Sequence, residues 1–342
     1  MAADAGNFSV LHKPDEGLME WRRRLLVLSG TAALLAATTA LPQSTAVKRR
    51  VGYLAVSSPS TSGHLFALFV AGLRDLGWIE GDNLSVDARW AGGDTTQWAP
   101  LAAELLALRP DVLVTSTDES ATALAAATKA VPIVFVSGGD PLGRGLVKSL
   151  ALPGGNVTGL SSSGDEIGPK RLALLKEALP NLKTVGVFTD AYFLDTAALT
   201  DAARRLGVEL ILAEINRPSD VDRALDTVAK AGAGGAVDRT NGGTTFLMQE
   251  IIVKWALQHR IAFVGHSAIA NSGVLMSYGV TFATLFSRAA GLVDRILKGA
   301  NPAVIPVEQV NVFELVVNRR TAQALGLELP RSILLQAAHV IE

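Results

Sequence analysis

The chain has 342 residues, 49% of them hydrophobic and 18% charged, which is enough apolar material for two cores of ordinary domain size and too much for a disordered chain. Its 31 basic and 32 acidic side chains leave a formal net charge of −1, which argues against a broad basic surface and so against a nucleic-acid partner. The absence of cysteine excludes disulfides, thiolate metal sites and cysteine nucleophiles.

The N-terminal segment carries an export signature. Arg22-Arg23-Arg24 precedes an apolar stretch from Leu25 to Leu41, and Ser44-Thr45-Ala46 then offers small residues suited to cleavage. A basic region, a short apolar region and small residues at its end make a secretory signal peptide, placed with its N-terminal extension over residues 1–46. Arg22-Arg23-x-Leu25-Leu26 also resembles a twin-arginine signal, with the general export route as the alternative. An uncleaved anchor is the competing reading, since the apolar run is near the lower limit for spanning. The expectation is a soluble periplasmic protein, and the polar stretch Met1–Gly17 makes Met19 a second candidate start.

From Val51 strand-like and helix-like segments alternate. Val51–Val56 is nearly all apolar, as in a strand buried on both faces. Leu65, Phe66, Phe69, Leu73 and Leu76 recur at helical spacing, with Gly77 placed to end the helix. Leu84–Trp90 alternates and predicts an edge strand, and Trp98–Leu108 predicts an Ala/Leu-rich helix that Pro110 separates from a strand at Asp111–Thr115. A helix from Ser120 to Ala130 leads to a strand at Val131–Val136. This β-α-β-α-β-α-β order is the signature of a doubly wound parallel sheet. Breakers concentrate at Pro153–Gly159, and the first boundary is placed just after them. A second series follows: helix Pro169–Ala178, strand Thr184–Phe188, a helix ending at Leu206, strands at Val208–Ala213 and Gly235–Val237, helix Thr245–Gln258 and strand Ile261–Val264. Leu275–Gly279 reads as a crossover strand into a helix from Phe282 to Leu297 that returns to the first half. Phe313–Val317 and a helix from Arg320 to Leu325 form the last unit.

The two series echo each other 130 residues apart. Leu76-Gly77 is answered by Leu206-Gly207, and Val131–Ser137 by Ile261–Ser267. Repetition implies two similar α/β lobes with a cleft between them, a preferred place for a small molecule. The lobes are expected to be discontinuous, with residues 47–161 plus 280–308 in the first and 162–279 plus 309–342 in the second.

Chemistry is easier to exclude than to assign. The five histidines are not at metal-ligand spacing, so no metal is expected. No P-loop and no G-x-S-x-G motif occur, and Ser57-Ser58-Pro59-Ser60 stands where a dinucleotide site would need glycines, so no cofactor is expected. Polar residues do gather at the carboxyl ends of the strands, where open α/β sheets bind ligands. The candidates are Ser57, Ser58, Thr117, Ser120 and Asp140 in the first half, and Thr189, Asp190, Asn241, His266 and Tyr278 in the second. Ser, Thr, Asp and Asn before a helix also serve as caps, so each has a structural alternative. Asp140, before Pro141, suits an ammonium counter-charge or a turn. Tyr278 suits a cleft wall or hinge packing, and His266 a neutral polar or stacking group or a general base. Trp78, Trp90 and Trp98 read as packing residues.

Several longer runs resemble a known family. Gly138-Gly139-Asp140-Pro141, Gly145-Leu146-Val147-x-Ser149-Leu150 and Pro153-Gly154-Gly155-Asn156-Val157-Thr158-Gly159 form one of them. With Met276-Ser277-Tyr278-Gly279, Ile296-Leu297-Lys298-Gly299 and Phe313–Asn318, they make the chain from Val51 to Ile341 similar to the tryptophan/tyrosine-type ABC-transporter substrate-binding proteins. The resemblance implies a periplasmic-binding-protein fold of the first type: two Rossmann-like lobes with parallel sheets, joined by a three-segment hinge that closes on a ligand. It implies an amino-acid-like ligand, an ABC permease in the inner membrane as partner, no catalysis and a monomer, with Ser58, Ser120, Asp140 and Tyr278 near the ligand. Thr189-Asp190, Asn241-Gly242 and His266 depart from the family's usual Asn-Pro, Asp-Pro and aromatic residue, in the half that reads the ligand side chain. A sensory module on the same fold and an enzyme using Asp140 or His266 are the alternative functions.

Overall fold

The computed structural model describes residues 48–161, 166–189, 197–239, 245 and 247–342. The export segment expected over residues 1–46 and the candidates Asp190 and Asn241 lie outside these residues. The described chain begins β1 (Arg49–Ala55), α1 (Pro59–Asp75), β2 (Leu84–Trp90), α2 (Trp98–Ala107), β3 (Val112–Thr117), α3 (Asp118–Ala127), β4 (Ile133–Gly138) and β5 (Val157–Ser161). It continues through α4 (Ile167–Ala178), β6 (Thr184–Thr189), α5 (Ala197–Leu206), β7 (Glu209–Glu214), α6 (Val221–Lys230), β8 (Gly235–Asp238), α7 (Gln249–Gln258), β9 (Ala262–Gly265) and β10 (Met276–Val280). α8 (Phe282–Leu297), β11 (Glu308–Gln309), β12 (Phe313–Asn318), α9 (Arg319–Leu325), α10 (Arg331–Gln336) and β13 (His339–Ile341) complete it.

These strands form two sheets, in the orders β11-β5-β4-β3-β1-β2 and β13-β12-β10-β9-β8-β6-β7. All pairings are parallel except β10 with β12. Helices cover both faces of the first sheet, which is why β1 reads as an unbroken apolar run. Val51, Tyr53 and Ala55 join Phe69, Leu73 and Phe286 on one side, and Leu54 joins Leu105, Leu113 and Phe135 on the other. The second sheet is filled in the same way, with Val187 and Leu175 on one face and Phe188, Leu225 and Val228 on the other. At Gly186 an added Cβ would lie 2.5 Å from Val228 Cγ1, so glycine there lets α6 seat directly on β6.

The chain passes between the sheets three times: from β5 to α4, from β10 to α8, and from β11 to β12. The expected return of the helix from Phe282 to Leu297 is observed, since Leu285, Phe286, Ala289 and Val293 complete the core of the first sheet.

The sequence echo has a structural counterpart. β2-β1-β3-β4-β5 and β7-β6-β8-β9-β10 follow the same order, and the repeated strands β4 and β9 hold equivalent places. The repeated Leu-Gly pairs end α1 and α5 with the same bonds: Trp78 N donates to Leu73 O, and Val208 N to Ala203 O. Both glycines take positive φ, 91° for Gly77 and 64° for Gly207, the left-handed turn that ends a helix and that glycine adopts without penalty.

Five elements were not expected from sequence. β5 lies inside the breaker-rich stretch, where an added Cβ on Gly159 would come within 2.3 Å of Phe135 O. Glycine is therefore the residue that lets this strand cross the Phe135 ring. α6, the short β11 and the terminal pair α10–β13 are the others. Among the described residues no helix is long and apolar enough to cross a membrane.

Candidate functional site

At the carboxyl rim of the first sheet the candidates fall into two groups. Ser57 is buried with its hydroxyl against that of Ser62, and its carbonyl accepts from Gly92 N at 3.1 Å. Ser58 caps α1, its hydroxyl accepting from Thr61 N at 3.3 Å. Thr117 and Ser120 form a reciprocal capping box at the start of α3. Ser120 is fully buried, and its hydroxyl also meets Thr115 Oγ1 at 2.6 Å and Thr117 O at 3.0 Å. The capping alternative therefore describes Ser58, Thr117 and Ser120 in this structure.

Asp140 is different because it is exposed. Its Oδ1 accepts from Gly143 N at 2.7 Å, and its own N–H donates to Asp118 Oδ2 at 2.8 Å. The carboxylate thus closes a turn and stands at the rim at once. Beneath it Asp118 is buried, and Arg144 Nε lies 3.2 Å from Asp118 Oδ2 while Arg144 Nη2 donates to Glu119 Oε1 at 2.9 Å. Burial, then the neighbouring Asp118 charge, pushes the Glu119 carboxyl up to about 8 against the opposing pull of Arg144.

The rim of the second sheet is organised by a residue not singled out in the sequence. Arg171 on α4 is fully buried, its Nε donating to Tyr278 O at 2.8 Å and its Nη1 to Asp238 O at 2.6 Å. Burial pulls the guanidinium down to about 10, partly offset by Asp238 and Tyr278. His266 is buried beside this group, with Nε2 3.8 Å from Asp238 Oδ2. Desolvation, with Arg171 second, lowers His266 to about 3, so its ring is neutral at physiological pH. It meets Phe282 edge-on, at 5.9 Å between centroids. Tyr278 is half-buried, its ring stacks on Phe313 at 5.7 Å, and burial followed by the Glu166 charge raises its hydroxyl. Thr189 is buried at the end of β6, its carbonyl accepting from Ile215 N.

His266, Tyr278, Asp238 and Arg171 are thus brought together, and Asp140 is tied to Asp118, Glu119 and Arg144. The two halves approach at Gly93, where an added Cβ would lie 2.6 Å from Leu247 Cδ1 and 3.8 Å from Pro218 Cγ. Two rims of strand ends, one anionic and one built of rings around a neutral imidazole, are suited to holding a small polar molecule. The three tryptophans pack as expected. Trp90 meets the Tyr53 and Phe66 rings, Trp78 donates to Asp294 Oδ1 at 2.9 Å, and Trp98 packs against the core under the first sheet.

The family of ABC transporter substrate binding proteins matches residues 55–341. The chain belongs to that family. Among other substrate-binding proteins, it is 29% identical over 269 residues to a tyrosine-binding protein of Clostridioides difficile, covering 76% of each chain. Its fold matches the crystal structure of an ABC domain from Streptococcus pneumoniae in complex with L-Trp, with a TM-score of 0.78 and 25% identity over 86% of this chain and 100% of the other. A conserved domain protein from Vibrio cholerae matches with a TM-score of 0.78 and 28% identity over 86% and 99% of the two chains. Membership makes the chain a solute-binding protein on the type I periplasmic-binding-protein fold, with a small-molecule ligand.

Proposed function

We propose that this substrate-binding protein takes an amino acid or closely related carboxylate between two lobes, residues 47–161 plus 280–308 and 162–279 plus 309–342. It does not turn the ligand over, and it passes it, as a periplasmic monomer without a nucleic-acid partner, to an ABC permease in the inner membrane. The observation that carries this reading is the contrast between the rims. Asp140 offers an exposed carboxylate to an ammonium group, while Tyr278 and the neutral His266 offer rings and a polar edge to a side chain. The tyrosine-binding relative and the tryptophan complex support an amino-acid ligand. Hinge closure follows from a ligand that contacts both lobes, because only differential affinity for the closed state shifts that equilibrium.

A thermal-shift panel of amino acids and related carboxylates, with L-tyrosine and L-tryptophan included, tests the reading. At least one compound is expected to raise the unfolding temperature, and Asp140→Ala and Tyr278→Ala are each expected to reduce that shift while remaining folded. Full shifts in both variants would remove the assignment of the site, and no shift with any compound would remove the ligand class.

A further inference from the structure

The loop after β4 holds Asp140 in place through three ionisable residues that a single ligand rim does not require. Asp118 and Glu119 side chains are 1% and 9% exposed and that of Arg144 is 17% exposed, so two carboxylates and a guanidinium are buried together behind Asp140. Arg144 spans both acids, with Nε 3.2 Å from Asp118 Oδ2 and Nη2 2.9 Å from Glu119 Oε1. Asp118 Oδ2 is also the acceptor for Asp140 N, at 2.8 Å. Arg144 N in turn donates to Asp140 O at 3.2 Å, and Gly143 N to Asp140 Oδ1 at 2.7 Å. Every bond that fixes the Asp140 backbone thus ends on Asp118 or on the turn that Arg144 closes. Buried charges are costly unless paired, and a guanidinium fork holds two acids in one plane as an ammonium cannot.

We propose that Arg144 is a positioning residue for Asp140: by clamping Asp118 and Glu119 it staples the 140–144 turn to the start of α3 and fixes the direction of the Asp140 carboxylate. The consequence for affinity rests on the proposed amino-acid ligand, whose ammonium would read that carboxylate. The groups facing Glu119 are Asp118, Arg144 and the Thr117 hydroxyl, so Arg144 is the cation that opposes the acid pair there.

The test compares wild type with Arg144→Gln and, as a gentler lesion that leaves the Arg144–Glu119 pair in place, Asp118→Asn. Amide hydrogen exchange is read at Asp140, Gly143 and the β1 strand. Calorimetry is run with L-tyrosine and with 3-(4-hydroxyphenyl)propionate, the same molecule without its ammonium. Arg144→Gln is expected to lose about tenfold protection at Asp140 and Gly143 with β1 unchanged, the scale of a lost charge-assisted hydrogen bond, and Asp118→Asn, whose amide oxygen still accepts from Asp140 N–H, a smaller part of it. L-tyrosine affinity is expected to fall by about tenfold while the deaminated analogue is unaffected. Unchanged protection at Asp140 in folded Arg144→Gln overturns the proposal, as does an equal loss of affinity for both compounds. If wild type binds neither compound while protection at Asp140 falls, the positioning role stands and the ligand reading is the one that fails.

Discussion

Two buried groups give the fold opposite responses to pH. His266 is neutral in the folded chain, its pKa lowered to about 3 by burial and by Arg171, against an ordinary value of 6.5. The unfolded chain therefore binds the extra proton first, so the contribution of this residue is present above about 6.5 and is lost as pH falls towards 3. Glu119 is raised, so its contribution is present below the ordinary 4.5 and is lost as pH rises through about 8. Unfolding temperatures measured from pH 4 to pH 9 are expected to fall at both ends. His266→Gln should flatten the acid arm and Glu119→Gln the alkaline arm; a profile unchanged in either variant would contradict the corresponding burial. At this scale the sequence is informative about location and leaves the task of each residue open. Ser58, Thr117 and Ser120 stand at strand ends in the sequence, and the structure shows that their hydroxyls also cap helices. The short polar side chains that cap helices are also those that bind ligands, and spacing cannot separate the two uses.

Periodicity exposed most elements, because buried parallel strands are apolar runs and covering helices repeat at three and four residues. It failed where another signal lay on top. β5 was hidden by the glycines around it, although Gly159 is there to pass the Phe135 ring. Gly159→Ala is expected to cost about 1–3 kcal/mol through overpacking, checked by urea denaturation; a neutral change would mean that β4 and β5 separate without strain. α6 went unread although Val221, Ala224, Leu225 and Val228 form its buried stripe. Arg171 was illegible for a different reason: its acceptors are backbone carbonyls 67 and 107 residues away, and a basic residue on an amphipathic helix ordinarily faces water. Arg171→Met keeps the length of the side chain and removes the donors between β8 and β10. The expected loss is about 3–5 kcal/mol in denaturant unfolding, the range for breaking a buried charged network, and a loss below 1 kcal/mol would show that the two carbonyls find other donors.

At the scale of the molecule, one α/β unit occurs twice, with matching strand order and matching helix ends, and the copies differ where the ligand would be read. The first copy ends in Ser137-Gly138-Gly139-Asp140 with a clamped carboxylate, and the second in Gly265-His266-Ser267 with a neutral ring against Phe282. Duplication was legible because it leaves the same residues at a fixed offset. The identity of the ligand was not, because it depends on side chains from strands far apart in sequence. At Gly93, beside the end of β1, an added Cβ would meet Leu247, so the two halves come close at the strand-end rims. The most direct test of the central claim is isothermal titration of the protein with the amino-acid panel. The account predicts saturable binding of at least one amino acid at one site per chain, weakened by Asp140→Ala. Heats no different from dilution for every amino acid would contradict it.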